Sequence, residues 1–85
     1  MFEWDEQKRR RNLTEHSVDF IDMLAAFDAP QRIEFEDGRK DYGERRFVIL
    51  CPLEGRLFHV TYTMRGTNRR IVSAKANKRE QRNYE

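Results

Sequence analysis

Cysteine occurs once in this chain, at Cys51, so there is nothing from which to build a disulfide framework. One Cys with two His, and no CxxC or HxxxH spacing, also leaves no zinc-ligand cluster. Metal catalysis and metal cofactors are therefore not expected. Apolar residues are scarce as well, 38% of 85 residues against the roughly 45 to 50% of ordinary globular domains. The core should be thin. Ordering a chain costs roughly 1.5 kcal/mol per residue, so a fold this small sits near balance and gains much from a bound partner. No apolar run approaches the ~18 residues of a membrane span, and the opening MFEWDE is acidic where a signal peptide would be basic. These absences point to a cytoplasmic protein with no membrane partner. No repeats or linkers interrupt the chain, and residues 1–85 read as a single domain.

What the chain has is charge and aromatic surface. Charged residues are 38% of it, yet six Phe, three Tyr and one Trp are too many aromatics for a disordered polyelectrolyte. The net charge of +2 hides a segregation. Residues 1–44 hold seven Lys/Arg and twelve Asp/Glu, a net −5, whereas residues 45–85 hold ten and three, a net +7. A basic C-terminal half is an electrostatic footprint for a polyanion, and the acidic half suits a basic partner.

The periodicities predict an α+β fold in the order β-α-α-β-β-β-β-α, with consecutive antiparallel strands. Phe2-Glu3-Trp4 alternates, and Asp5 is a good N-cap for a polar helix from about Glu6 to His16. Asp19 caps a second helix in which Val18 staples against Met23. There Phe20, Leu24 and Phe27 recur at i, i+4 and i+7, Ile21 and Ala25 widen the stripe, and Pro30 ends it. Ile33 and Phe35 alternate with Glu34 and Glu36 in a strand that turns at Asp37-Gly38. RFVILC (46–51) and RLFHVTYT (56–63) form a hairpin around Glu54-Gly55, and RRIVSAK (69–75) is the last strand. Asn77 to Glu80 has an N-x-x-E cap signature for a short terminal helix to Tyr84.

Several residues have both a structural and a chemical reading. Lys8 to Arg11 point all round a helix, which favours ion pairs with Asp5, Glu6 and Glu15 over nucleic-acid contact. His16 suits the negative end of its helix, Trp4 and Cys51 suit the core, and His59 lies on the face opposite Phe58, Val60 and Tyr62. If that apolar set faces the helices, His59 stands on an open sheet face. The basic residues of the second half fall at strand ends and turns: Arg45, Arg46, Arg65, Arg69, Arg70, Lys75, Lys78, Arg79 and Arg82. Together they suggest a shared anion site near the sheet.

Segments in order over the whole chain resemble the BrnT-type toxins of bacterial type II toxin–antitoxin systems. FEWDEQKRRRNLTEHSVDF is similar to that family's F-x-W-D-x-x-K…N-x-x-K-H-G-V-x-F, and Phe27-Asp28-Ala29-Pro30 to its V-F-x-D-P. Glu44-Arg45-Arg46-Phe47 resembles its E-x-R-F, Thr63-Met64-Arg65-Gly66 its T-x-R-G, and RIVSAKANKREQRNYE its R-I-I-S-A-R…A-T-x-x-E-R-x-x-Y-E. Ser17 stands where the family has Gly, a change that costs little at negative φ and more in a left-handed conformation. Lys75 stands where the family has Arg.

The resemblance implies a RelE-like, metal-independent ribonuclease that blocks translation. It also implies a BrnA-type antitoxin as partner, whose ribbon-helix-helix domain represses the shared operon, expected here as a 2:2 hetero-oligomer that meets operator DNA only through the antitoxin. On this reading the reaction is 2′-OH attack on the adjacent phosphate of RNA. Arg65 and Arg79 hold the phosphate, Arg46 and Lys75 flank it, and Arg70, Lys78 and Arg82 hold the RNA backbone. Tyr84, Glu80, Glu44 and His59 all stay open as proton donor or acceptor. A non-catalytic RNA-binding or co-repressor module is the alternative, since a pure binder keeps the basic surface and needs no particular Arg.

Overall fold

The computed structural model describes residues 1–38 and 43–77. Five strands and two helices follow one another as β1 (Phe2–Trp4), α1 (Glu6–His16), a 3-10 helix (Phe20–Phe27), β2 (Ile33–Asp37), β3 (Arg46–Leu53), β4 (Arg56–Arg65) and β5 (Asn68–Asn77). This is the expected α+β class and order. The terminal helix expected after Asn77 lies outside the described residues.

The sheet is mixed, in the order β1-β5-β4-β3-β2. β2 to β5 are consecutive antiparallel strands as anticipated, but β1 pairs with β5 in parallel, Trp4 opposite Ile71. A period of two identifies a strand without stating its direction. Direction comes from the three reversals between β2 and β5, which bring β5 alongside β1 in the same sense. The β3–β4 hairpin turns on Glu54 and Gly55, both at positive φ (52° and 76°), the backbone of a type I′ turn. The β4–β5 turn places Gly66 at φ 60° as the first of its two central residues, where a type II′ turn needs glycine. β3 runs on through Pro52 because β2 pairs with it only as far as Leu50, so no ladder needs that missing N–H. Gln31 Nε2 donates to the Pro52 carbonyl instead, at 3.0 Å.

α1 begins as expected, with the Asp5 carboxylate accepting from the Gln7 and Lys8 amides. The second helix departs from the expected α geometry. Its end bonds span three residues, Asp22 N–H to the Asp19 carbonyl and Asp28 N–H to the Ala25 carbonyl. With three residues per turn the buried stripe is Phe20, Met23 and Ala26, joined by Phe27, while Ile21 and Ala25 face solvent and Leu24 is half-buried. The Asp19 cap and the burial of Val18 with Met23 are as read from the sequence.

Both helices cover one face of the sheet. There Phe20 meets Ile49, Cys51, Val60, Ile71 and Ala74, all essentially without solvent contact. Trp4 packs edge-on to Phe20, and Phe27, Tyr62 and Phe47 form an aromatic row with centroids 5.1 and 5.3 Å apart. Cys51 is a core residue, as expected, and Trp4 packs against the core partly buried.

Candidate active site on the open sheet face

Strand alternation assigns the opposite face, which no helix covers among the described residues. β3 turns Phe47, Ile49 and Cys51 to the helices and Arg46, Val48 and Leu50 away; β4 does the same with Phe58, Val60 and Tyr62 against His59 and Thr61. β5 would break this pattern, since Ile71 in the core should carry Ser73 and Lys75 into the core with it. A β-bulge prevents this. Thr61 pairs with Ser73 but Tyr62 pairs with Ile71, leaving Val72 unopposed and reversing the alternation beyond it. Ile71 and Ala74 therefore face the helices, while Ser73 and Lys75 join the open face.

That face is a shallow basin of about 560 Å³. β2 supplies Phe35 and Asp37, β3 Arg46, Val48 and Leu50, β4 His59 and Thr61, and β5 Ser73 and Lys75. Of the residues expected at the site, Arg46, Lys75 and His59 all line it. His59 and Lys75 are direct cross-strand partners. Burial, and then the Lys75 charge, push the imidazole below its ordinary pKa of 6.5, so His59 is a neutral proton acceptor at pH 7. Lys75 has no carboxylate partner among the described residues.

Arg46 and Lys75 do not form one clamp. Arg46 pairs with Thr63 and Lys75 with His59, four residues apart on β4. At ~3.3 Å per residue and ~4.8 Å per strand their backbones are roughly 16 Å apart. The basin thus has two cationic ends. The Arg46 end also holds Glu44, 3.3 Å from the Arg46 guanidinium, and Arg70, which reaches the Glu3 carboxylate on β1 at 3.5 Å. Arg65 lies further along, exposed at the tip of the β4–β5 hairpin and carried by alternation onto the same face as Thr61. Lys78, Arg79, Glu80, Arg82 and Tyr84 lie outside the described residues.

Several other basic groups are engaged in ion pairs or ring contacts away from the basin. Arg45 grips Glu36 with two hydrogen bonds of 2.9 and 3.0 Å and lies over the Phe47 ring. Arg69 lies over Phe2 and Phe27 on the helix side. From the Lys8 to Arg11 run, Arg9 bridges Glu6 (2.6 Å) and Asp19 (3.0 Å), tying α1 to the 3-10 helix. That contact, with a second from Arg10, pulls the Glu6 carboxyl down to about 2. Tyr62, facing the helices, donates to Glu34; burial first, and then this bond, push its pKa up to about 12.

Two residues that support the site were not singled out from composition or spacing. Asn12, buried in α1, donates through Nδ2 to the carbonyls of Val18 (2.8 Å) and Ala74 (2.7 Å), and its Oδ1 accepts from the Ala74 amide (3.1 Å). β1 stops pairing at Ile71, so Asn12 takes over the outer edge of β5 as a one-residue strand would. The available signal was a poor helix former in mid-helix, where it needs a reason. Phe35 was read only as a strand residue. Its alternation with Glu34 and Glu36 marked a two-faced strand, but the register puts Glu34 and Glu36 on the helix side and leaves Ile33 and Phe35 on the other.

Among the described residues no three His, Cys, Asp or Glu side chains gather as metal ligands, and no helix is long and apolar enough to cross a membrane. Comparison with individually curated proteins finds no match. The family model for the ribonuclease toxin BrnT of type II toxin–antitoxin systems matches residues 4–80, from Trp4 at the end of β1 through every described element that follows it. With a sheet face that carries Arg46, His59 and Lys75 and is left open among the described residues, and a family match over nearly its whole length, the chain belongs to the BrnT family of type II toxin–antitoxin ribonuclease toxins.

Proposed function

We propose that this toxin is a metal-independent RNA endonuclease of RelE-like fold, and that its chemistry takes place at the His59–Lys75 end of the open sheet face. The observation that carries this reading is the cross-strand pairing of a neutral imidazole with a lysine that has no carboxylate partner among the described residues. His59 takes the proton from a ribose 2′-OH as that oxygen attacks the adjacent phosphorus. The bond from phosphorus to the 5′-oxygen breaks, and that oxygen leaves with a proton from solvent or a second acid. The products are a 2′,3′-cyclic phosphate and a 5′-hydroxyl. Lys75 offsets the extra negative charge on the phosphorane, while Arg46, Arg70 and Arg65 hold phosphates further along the strand. From the sequence alone Arg79 is assigned to the phosphate and Lys78 and Arg82 to the RNA backbone, while Tyr84 stays open as proton donor or acceptor.

Membership of a type II family implies an antitoxin. We take it to be of BrnA type, with a ribbon-helix-helix domain, assembling as a 2:2 complex that represses the shared operon and blocks translation arrest by covering the cationic face. Purified protein should cleave RNA in EDTA and leave cyclic phosphate ends. Loss of cleavage in EDTA with recovery in magnesium would sink the metal-free mechanism. Equal cleavage of a substrate with a 2′-deoxy sugar at the cut site would remove the 2′-OH as nucleophile.

A further inference from the structure

Phe35 is an aromatic side chain left 46% exposed on the edge strand β2, and it forms a wall of the same basin that holds Arg46, His59 and Lys75. Beside it on the same face Ile33 is 62% exposed, so the apolar wall continues along β2. A phenyl ring in water on a sheet edge has no stabilising role in the core, which lies on the other face. Its surroundings select one kind of occupant. Arg46 and Lys75 bring positive charge to the basin, Asp37 lines it with a carboxylate and Glu44 pairs with Arg46, which leaves Lys75 as a cation with no carboxylate partner among the described residues. The floor beneath the ring is Val48, its cross-strand partner. By strand spacing the Phe35 backbone lies roughly 8 Å from that of Arg46 and roughly 12 Å from that of His59. Adjoining nucleotides of one strand can therefore reach all three.

We propose that Phe35 is a nucleobase subsite, on which one base of single-stranded RNA stacks while the backbone runs from Arg46 toward His59 and Lys75. This rests on the ribonuclease reading and adds to it how the strand is gripped. An open sheet face with an exposed aromatic ring and flanking cations takes unpaired bases, because every base presents a π-face. Duplex RNA, whose bases are already stacked, is excluded from the subsite.

The test uses the full-length protein and a fluorescein-labelled, uncleavable 2′-O-methyl RNA oligonucleotide, with affinity read by anisotropy. Phe35→Leu should weaken binding about tenfold, within the ~1 to 3 kcal/mol measured for one stacked base, and Phe35→Trp should bind at least as tightly as wild type. Abasic sites are then placed singly along the oligonucleotide. One position should weaken wild-type binding about tenfold and leave Phe35→Leu indifferent, which separates stacking from phosphate contact. The abasic series on wild type and the Phe35→Trp protein carry the test even if Phe35→Leu is unstable. If wild type binds and cleaves RNA but neither Phe35→Leu nor any abasic site matters, the subsite is wrong and the ribonuclease reading stands. If wild type neither binds nor cleaves RNA, both are wrong. Unchanged RNA binding with lost antitoxin binding in Phe35→Leu would overturn the subsite and give this wall to the protein partner.

Discussion

Ser17 shows at the scale of one residue how a substitution can be tolerated and still be costly. It terminates α1 in the left-handed region, φ 58°, with its amide bonded to the Leu13 carbonyl at 3.0 Å. A side chain pays a steric penalty there that glycine does not. Ser17→Gly should therefore stabilise the protein by about 0.5 to 1 kcal/mol, a rise of a few degrees in Tm measured by thermal unfolding. A lower Tm would mean that the greater unfolded-state freedom of glycine outweighs the relief of strain. His59 makes a prediction of the opposite kind, about rate and not stability. Its pKa is depressed, so it is already deprotonated at pH 7 and becomes protonated only as pH falls below the ordinary 6.5. If it is the proton acceptor, cleavage should hold steady down to that point and then fall with pH. His59→Gln should lose 10² to 10⁴-fold in kcat together with the acidic limb. A His59→Gln protein with an unchanged pH–rate profile would transfer the role to another group.

At the scale of elements the join between α1 and β5 is held by Asn12. Its amide occupies three backbone groups in a buried position. Asn12→Ala should cost about 3 kcal/mol, since a buried donor or acceptor left unpaired costs roughly 1 to 3 kcal/mol each. Asn12→Asp should be at least as damaging, because a carboxylate cannot donate to the Val18 and Ala74 carbonyls. Denaturant unfolding measures both; a loss below 1 kcal/mol would mean that water replaces the side chain. The β3–β4 hairpin offers the reverse experiment. Glu54 stands at φ 52° before Gly55, at the position where a type I′ turn favours Asn. Glu54→Asn should raise stability by several tenths of a kcal/mol, visible as a higher denaturant midpoint with unchanged slope.

For the whole molecule the question is how much of its charge is available to RNA. The acidic and basic halves of the sequence fold onto one another, and Glu36 binds Arg45, Glu44 binds Arg46 and Glu3 binds Arg70. Lys75 and Arg65 have no such partner among the described residues. With Lys75, Arg46, Arg70 and Arg65 on phosphates, single-strand binding should weaken with salt at a log–log slope of about −3, from ~0.7 per contact. Lys75→Ala should reduce the slope by that increment and lower kcat, whereas Arg65→Ala should reduce the slope and raise KM with kcat little changed. Equal loss of kcat in both variants would place the scissile phosphate nearer the hairpin tip than the geometry of the basin allows.

The strands, the polar helix and its Asp5 cap, the Glu54-Gly55 hairpin and the open-face position of His59 were all legible in the sequence. Each is set by a local period, a cap or a turn whose physics spans only a few residues. Resemblance over the chain supplied the family. Three things were decided by tertiary structure. The second helix has a three-residue period because Phe20, Met23 and Ala26 bury together against the sheet, a choice that packing makes between two helices of similar local energy. β1 is parallel because its direction depends on where β5 arrives. Most consequential for function, the bulge at Val72 turns Lys75 out of the core and beside His59, while keeping Ile71 within it. RRIVSAK does not decide it, because Val72 and Ala74, with Ala76 just beyond, by themselves keep the period of two. Packing buries Ile71 together with Ala74, three apart in a strand whose period is two, and that leaves one residue without a partner.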